Sequence, residues 1–358
     1  MPVPDGRDGI VLSGTDTRPF SLLGVTWDDP DARLTATVEV RTRARGTARW
    51  SGWLRLDGDD ARGEEPALRG GTAPAWVGPS DGVEARVVPD ADGSSALPEG
   101  LRLDLIEPGP GVPGGGAPVP SPVVGPGAAP QSAPVPRPAI VSRAGWGADE
   151  SISPQAPAYL PGGKVEAMVV HHTAGSNAYT CAEAPAVLRG IHAYHVGQLG
   201  WKDIGYNFLV DKCGTLYEGR KGGVDRPVLG AHAYGFNTET SGVAVLGSYT
   251  DVTPGAAVLD SVAKLAAWKL GQYGVDPAGT ATLTAGAAGR SHTGATWAKG
   301  AKLSFPAIHG HRDGYNTECP GARLYAELPA IRVRAAAFAA GTSSGSSRGA
   351  AVPTAAGE

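Results

Sequence analysis

A chain of 358 residues with 31 Lys+Arg, 35 Asp+Glu and a net charge of −4 has room for two domains, and it lacks the basic excess of a general nucleic-acid binder. Hydrophobic residues at 41% and charged residues at 18% exclude wholesale disorder, and no apolar run approaches the ~18 residues a membrane span needs. Gly (53) and Pro (31) make up about a quarter of the chain, so where they concentrate decides the organisation.

The segment from Met1 to Gly9 is polar and has no apolar signal core, which fits either a cytosolic chain or a secreted one whose signal is gone. Residues 8–107 then read as a small all-β sandwich. The run Leu34 to Arg43 alternates apolar or small with polar residues, the period-2 pattern of a half-buried strand. Trp50 to Leu56, Val83 to Val88 and Leu101 to Ile106 repeat it between turn-rich stretches. This block has no His and no Cys. Its Trp27, Trp50, Trp53 and Trp76 either pack the core and its rim or form a carbohydrate platform.

Between Pro108 and Pro138, 11 Pro and 7 Gly fall within 31 residues, so 108–138 reads as an extended linker. The block 139–338 mixes elements. Val165 to His171 has strand length, and Ala184 to Gln198 lines Val187, Leu188, Ile191, Tyr194 and His195 along one helical face. Tyr206 to Glu218 reads as a hairpin turning at 211–214, and Val243 to Leu246 as a buried strand. Thr253-Pro254 carries the N-cap and first-turn signature of a helix whose apolar face is Val258, Val262, Leu265, Ala266 and Tyr273. Ala307 to His309 is a last strand. Strands alternating with helices predict an α/β domain, one mixed central β-sheet flanked by helices. Residues 339–358, poor in apolar bulk, read as a tail without a core.

All eight histidines lie in the second block. His171 and His172 end a buried strand, and strand neighbours point to opposite faces, so only one of them reaches a given side. His309 and His311 share a face, and Cys319 follows eight residues after His311. One histidine from each place plus the Cys319 thiolate makes a three-ligand set for Zn²⁺ with an open fourth position, the arrangement of catalytic zinc.

The order of motifs is more specific. Trp146-Gly147, Val169-Val-His-His-Thr-Ala-Gly175, Gly200-Trp-Lys-Asp-Ile-Gly-Tyr-Asn-Phe-Leu209, Leu216-Tyr-Glu-Gly-Arg220, Gly310-His-Arg-Asp313 and Asn316-Thr-Glu-Cys-Pro-Gly321 follow one another. Residues 140–335 thereby resemble the peptidoglycan recognition protein family, which overlaps the type-2 N-acetylmuramoyl-L-alanine amidases. The preceding β block and Pro-rich linker resemble secreted actinobacterial members.

The resemblance implies zinc ligands at His171, His311 and Cys319, with His309 a neighbour of the set. It implies a catalytic tyrosine at Tyr206 and a hydrolytic-type threonine at Thr317. Thr317 stands where phage relatives carry Lys and animal amidases carry Thr. Non-catalytic members replace the cysteine ligand, which this chain keeps. Substrate contacts are implied at His172, His195, Gly200, Trp201, Arg220 and His232, and a disulfide between Cys181 and Cys213. The Gly200-Trp201 pair and Arg220 accompany diaminopimelate-type stem peptides in the family. Lys221-Gly222-Gly223 departs from the family's Gly-Trp-Asn at that loop. The expected protein is a secreted, monomeric, cell-wall zinc amidase acting on peptidoglycan, with no nucleic-acid partner. A binding protein of the same fold that does not cut is the alternative.

Overall fold

The computed structural model describes residues 10–32, 34, 36–56, 58, 67–89, 97–110 and 135–341. Most of the expected linker and nearly all of the expected tail lie outside the described residues. The N-terminal block is one antiparallel sheet of six strands: β1 (Ile10–Trp27), β2 (Ala36–Ala44), β3 (Leu54–Leu56), β4 (Gly70–Gly71), β5 (Ala75–Pro89) and β6 (Arg102–Ile106). Their order is β3-β2-β5-β1-β4, with β6 also paired to β1. The period-2 reading holds on β2, where Val38 and Val40 point into a core of Phe20, Leu23, Val25 and Trp27. The sequence gives no clean strand signal for β1, because Gly14, Pro19 and Gly24 interrupt it. The strand accommodates them through register slips against β5, between Leu12 and Thr15 and between Asp16 and Phe20. Trp27 and Trp76 are buried, which removes them from any carbohydrate platform, while Trp53 stays exposed.

The C-terminal block is built on a mixed sheet. Its strands are β7 (Ile140–Val141), β8 (Ala167–His172), β9 (Phe208–Val210), β10 (Leu216–Glu218), β11 (Thr240–Val245) and β16 (Ile308–Gly310), in the order β16-β8-β11-β9-β10-β7. Strands β16, β8, β11 and β9 run parallel, and the hairpin β9–β10 supplies the antiparallel pair. Helices α3 (Ala256–Gly271) and α5 (Ala322–Ala339) cover one face through Val258, Val262, Leu265, Ala266, Leu328 and Ile331. Helix α2 (Ala184–Gly197) covers the other through Val187, Leu188 and Ile191. Helix α3 starts at Ala256 with Gly255 as its N-cap, two residues later than Thr253-Pro254 suggested, and Tyr273 packs just past its end. Two pairs, β12 (Thr280–Thr284) with β15 (Lys302–Pro306) and β13 (Gly289–Arg290) with β14 (Thr296–Trp297), fill the stretch between α3 and β16. Short helices α1 (Arg143–Trp146) and α4 (His311–Gly314) flank the sheet.

Helix α2 is clamped between the two sheets. The Tyr194 hydroxyl, fully buried, lies 3.1 Å from the Thr72 carbonyl and 3.4 Å from that of Val25. Leu68 N–H donates to Leu199 O at 2.8 Å, and Ser176 N–H to Trp76 O at 2.9 Å. Leu22 and Trp76 join Trp146, Leu188, Ile191 and Tyr194 in a single apolar cluster. The blocks therefore share a core rather than hang from a tether.

Candidate metal centre

Parallel strands put their carboxyl ends at one edge of the sheet, where open α/β sheets mount their ligand sites. At that edge β8 ends in His171 and His172, and β16 runs into His311 at the first position of α4. The segment after α4 returns Cys319, and Arg312 N–H donates to the Cys319 carbonyl at 2.9 Å. Ligand atoms of His171, His311 and Cys319 lie within 4.8 Å of one another, and all three residues are buried. The Cys319 Sγ to His171 Nδ1 distance is 3.7 Å. A tetrahedral zinc with sulfur at ~2.3 Å and nitrogen at ~2.0–2.1 Å separates those two donors by about 3.6 Å. Two imidazoles and one thiolate of this spacing fit the ion that the resemblance implies.

The surroundings favour the neutral form of the His171 ring, the form in which a histidine binds metal. Burial first, and then the nearby His311 and His232, hold His171 well below the usual histidine range. Burial, His311 and Arg220 bring His232 to about 3. His171 Nε2 lies 3.1 Å from His232 Nδ1, so His232 fixes the outward nitrogen while Nδ1 faces the thiolate. Metal-bound histidines are commonly oriented in this way. His232 is set in turn by Asn237, whose Oδ1 accepts from the His232 and Ala233 N–H groups at 2.8 Å each. Gly242 on β11 makes room for it: a Cβ there would stand 2.5 Å from the His232 ring.

A second buried network positions the loops. Asp203 accepts from Ile204 N–H at 2.8 Å and Lys221 N–H at 2.9 Å, and it meets His192 Nε2 at 3.1 Å and Arg143 Nη1 at 3.2 Å. Burial alone would raise its carboxyl, but His192, Arg143 and the Lys221 amide bring it down to about 2. Arg143 also pairs with Glu150 at 2.6 Å and donates to the Gly219 carbonyl. The network ties the loop before Tyr206 to the loop after Arg220. Buried Lys269 holds the same region by donating to the Val224 and Arg226 carbonyls at 2.7 and 2.8 Å. None of Arg143, His192, Asp203 or Lys269 was singled out from sequence, since no local spacing marks them.

The remaining expected residues fall into two groups. Tyr206 is buried with its ring 5.3 Å from His171, Arg220 N–H donates to the Tyr206 carbonyl at 2.8 Å, and His232 completes the gathering around His171. His172 turns its ring to the other face, where Nδ1 accepts from Tyr249 N–H at 3.2 Å, while its backbone N–H points to Cys319 Sγ at 3.4 Å. The Thr317 hydroxyl accepts from Cys319 N–H at 3.1 Å, so it braces the ligand loop. Gly200 and Trp201, expected at the substrate, are closely packed. A Cβ on Gly200 would stand 2.5 Å from Leu68 of the N-terminal block, and Trp201, 4% exposed, lies against the His195 ring at 4.5 Å. His195 Nδ1 accepts from Gly205 N–H at 3.2 Å, a role in shaping the loop before Tyr206. His309 stacks on Phe305 at 4.8 Å, away from the ligand set. Cys181 and Cys213 form a disulfide, which accounts for their gathering with Asp211.

Comparison with known proteins is consistent with this geometry. Residues 161–322 match the family model described as N-acetylmuramoyl-L-alanine amidase. Residues 3–111 match one described as Rv3811 N-terminal galactose-binding domain-like. Peptidoglycan-recognition protein SC2 of Drosophila simulans is 32% identical over 190 residues, 53% of this chain and 84% of that protein. Peptidoglycan-recognition protein SC1a of Drosophila melanogaster is 34% identical over 160 residues, 45% of this chain and 70% of the relative. Among solved structures, wild-type Drosophila PGRP-LB aligns with a TM-score of 0.40 at 27% identity, over 53% of this chain and 91% of that one.

Proposed function

The chain belongs to the peptidoglycan recognition protein family, and from that premise we propose that it is a zinc-dependent N-acetylmuramoyl-L-alanine amidase that cuts the amide between N-acetylmuramic acid and L-Ala in cell-wall peptidoglycan. The observation that carries the reading is the buried His171, His311 and Cys319 set, with its thiolate present. Zinc held there would supply a Lewis acid for the scissile carbonyl and a water whose pKa falls from ~15.7 toward about 7. The chain's own residues do the rest. His171 and His311 offer ring nitrogens, and His232 holds the His171 ring in register. The Tyr206 phenol donates to the carbonyl oxygen as it gains charge. Thr317 keeps the Cys319 loop folded so that the sulfur stays aimed inward. Arg220, close to Tyr206 along the backbone, suits the extra carboxylate of a diaminopimelate stem peptide, because a guanidinium fork matches a carboxylate with two parallel hydrogen bonds. The protein acts outside the cell, where a disulfide persists.

The test is metal stoichiometry together with cleavage. The native chain is expected to hold one zinc and to release L-Ala amino termini from walls, while His311→Ala and Cys319→Ser lose both. Zinc retention and full hydrolysis by Cys319→Ser would defeat the assignment. The rival reading, recognition without cleavage, rests on the names of the relatives; it expects muropeptide binding with no new amino termini.

A further inference from the structure

The N-terminal sheet does more than pack against α2. Between it and the metal-bearing edge runs a cleft of about 860 Å³, a volume within the ~300–1,000 Å³ of sites that hold small ligands. One wall comes from the N-terminal block, chiefly Trp53, Leu54 and Arg55. The other comes from the C-terminal block, with His172, Asn316 and Thr317 among its residues. The cleft thus reaches the two positions that flank Cys319: His172, whose N–H points at the sulfur, and Thr317, whose hydroxyl holds the Cys319 amide.

We propose that this cleft is a glycan subsite, in which the N-terminal sheet binds the amino-sugar chain of peptidoglycan beside the scissile amide. The inference rests on the amidase reading only for the identity of the polymer. Two observations support it. The wall is fixed. Glycines sit on both sides of the junction, where any Cβ would collide: Gly24 and Gly71 against Tyr194 at 2.5 and 2.9 Å, Gly175 against the Trp76 backbone at 2.8 Å, and Gly190 against Leu22 at 3.0 Å. A hinged domain has no need for such close approach. The lining suits a sugar rather than an apolar ligand. Trp53, at 37%, is an exposed large aromatic side chain, and an indole face stacks on the C–H face of a pyranose ring. The Arg86 and Arg41 guanidiniums lie 4.3 and 5.0 Å from the ring centre and brace it. Opposite stand Asn316, Thr250, Ser248 and Asp251, groups of the size and polarity that pair with hydroxyls and acetamido groups.

The experiment uses the full chain and two probes, titrated separately by calorimetry. One is a glycan oligosaccharide of alternating N-acetylglucosamine and N-acetylmuramic acid stripped of its peptides, and the other is the free stem peptide without sugar. The glycan is expected to bind the native chain, with affinity lost at least tenfold in Trp53→Ala, largely kept in Trp53→Tyr, and reduced in Arg55→Ala. Stem-peptide affinity is expected to be unchanged in all three. Native thermal midpoints for the variants verify that they fold. No glycan binding by the native chain, equal binding by Trp53→Ala, or a loss confined to the stem peptide would overturn the proposal. The glycan probe has no scissile amide, so the outcome is independent of catalysis. A chain that binds it but cuts no wall would fail the amidase reading and leave this one standing.

Discussion

Arg41–Glu84 and Arg86–Glu39 cross the N-terminal sheet as charge pairs at 2.5 Å whose side chains are 19–41% exposed. In the C-terminal block Arg143, His192 and Asp203 meet with no more than 7% of any side chain exposed. The same residue types do different work in the two places. An exposed pair contributes ~0–1 kcal/mol, since water competes for both partners. A buried pair gains little over an apolar replacement but is costly to break, about 3–5 kcal/mol, because the survivor is left without water or partner. The N-terminal sheet therefore gets its stability from Phe20, Leu23, Val38 and Val40, and its exposed charge pairs, which join the interior strands β2 and β5, serve solubility. The C-terminal block accepts buried charge because the loops it ties carry Tyr206 and Arg220.

The sharpest way to break this contrast is Asp203→Ala. It is expected to lower the unfolding free energy by ~3–5 kcal/mol in denaturant titration. A loss below ~1 kcal/mol, the value for an exposed pair, would erase the distinction. Next is the disulfide, which belongs to the C-terminal block alone. Replacing both Cys181 and Cys213 by Ala opens a loop with a sequence separation of 32 and is expected to cost roughly 3–4 kcal/mol. Non-reducing peptide mapping should find this pair and leave Cys319 unpaired. Third, Tyr206→Phe is expected to keep its zinc and lose ~10²–10³ in kcat, the value of one oxyanion donor. An unchanged rate would remove Tyr206 from the chemistry.

Acid sharpens the contrast further. Asp203 titrates at about 2 in the folded chain, against ~3.9 when unfolded. Its contribution is therefore fully present above about pH 4 and fades as pH falls toward 2, a loss of roughly 2–3 kcal/mol. Stability measured across that window should drop more in the native chain than in Asp203→Asn. The smallest effect is expected for Glu84→Gln on the N-terminal sheet, within ~1 kcal/mol and insensitive to turnover.

How much of this was legible in the sequence depends on whether the signal was local. The strand that carries His171, helix α2 and the β9–β10 hairpin announce themselves by period and turn chemistry and appear where expected, whereas His311 opens α4 instead of extending the last strand, which stops at Gly310. Strand β1 did not, because Gly14 and Pro19 read as breakers until a bulged partner strand absorbs them. Helix α5 escaped because its buried face is thinly spaced, Leu324, Leu328, Ile331 and Ala335, with Pro329 within it. The Asp203 network joins residues from 143 to 221, and the His171–His232 contact spans 61 positions, so no window of sequence contains either. Gly200 shows the same reach across the chain. Its family context suggested substrate, but the side chain it makes room for, Leu68, lies in the other block.

The buried His171, His311 and Cys319 set is proposed to make this chain cut rather than merely hold peptidoglycan. The direct measurement is mass spectrometry of diaminopimelate-type wall incubated with the native chain, with the same chain stripped by chelator, and with the stripped chain given zinc again. Free stem peptides with L-Ala amino termini and intact glycan strands are expected in the first and third samples, and no free stem peptides in the second. Bound but uncut wall in all three would contradict it.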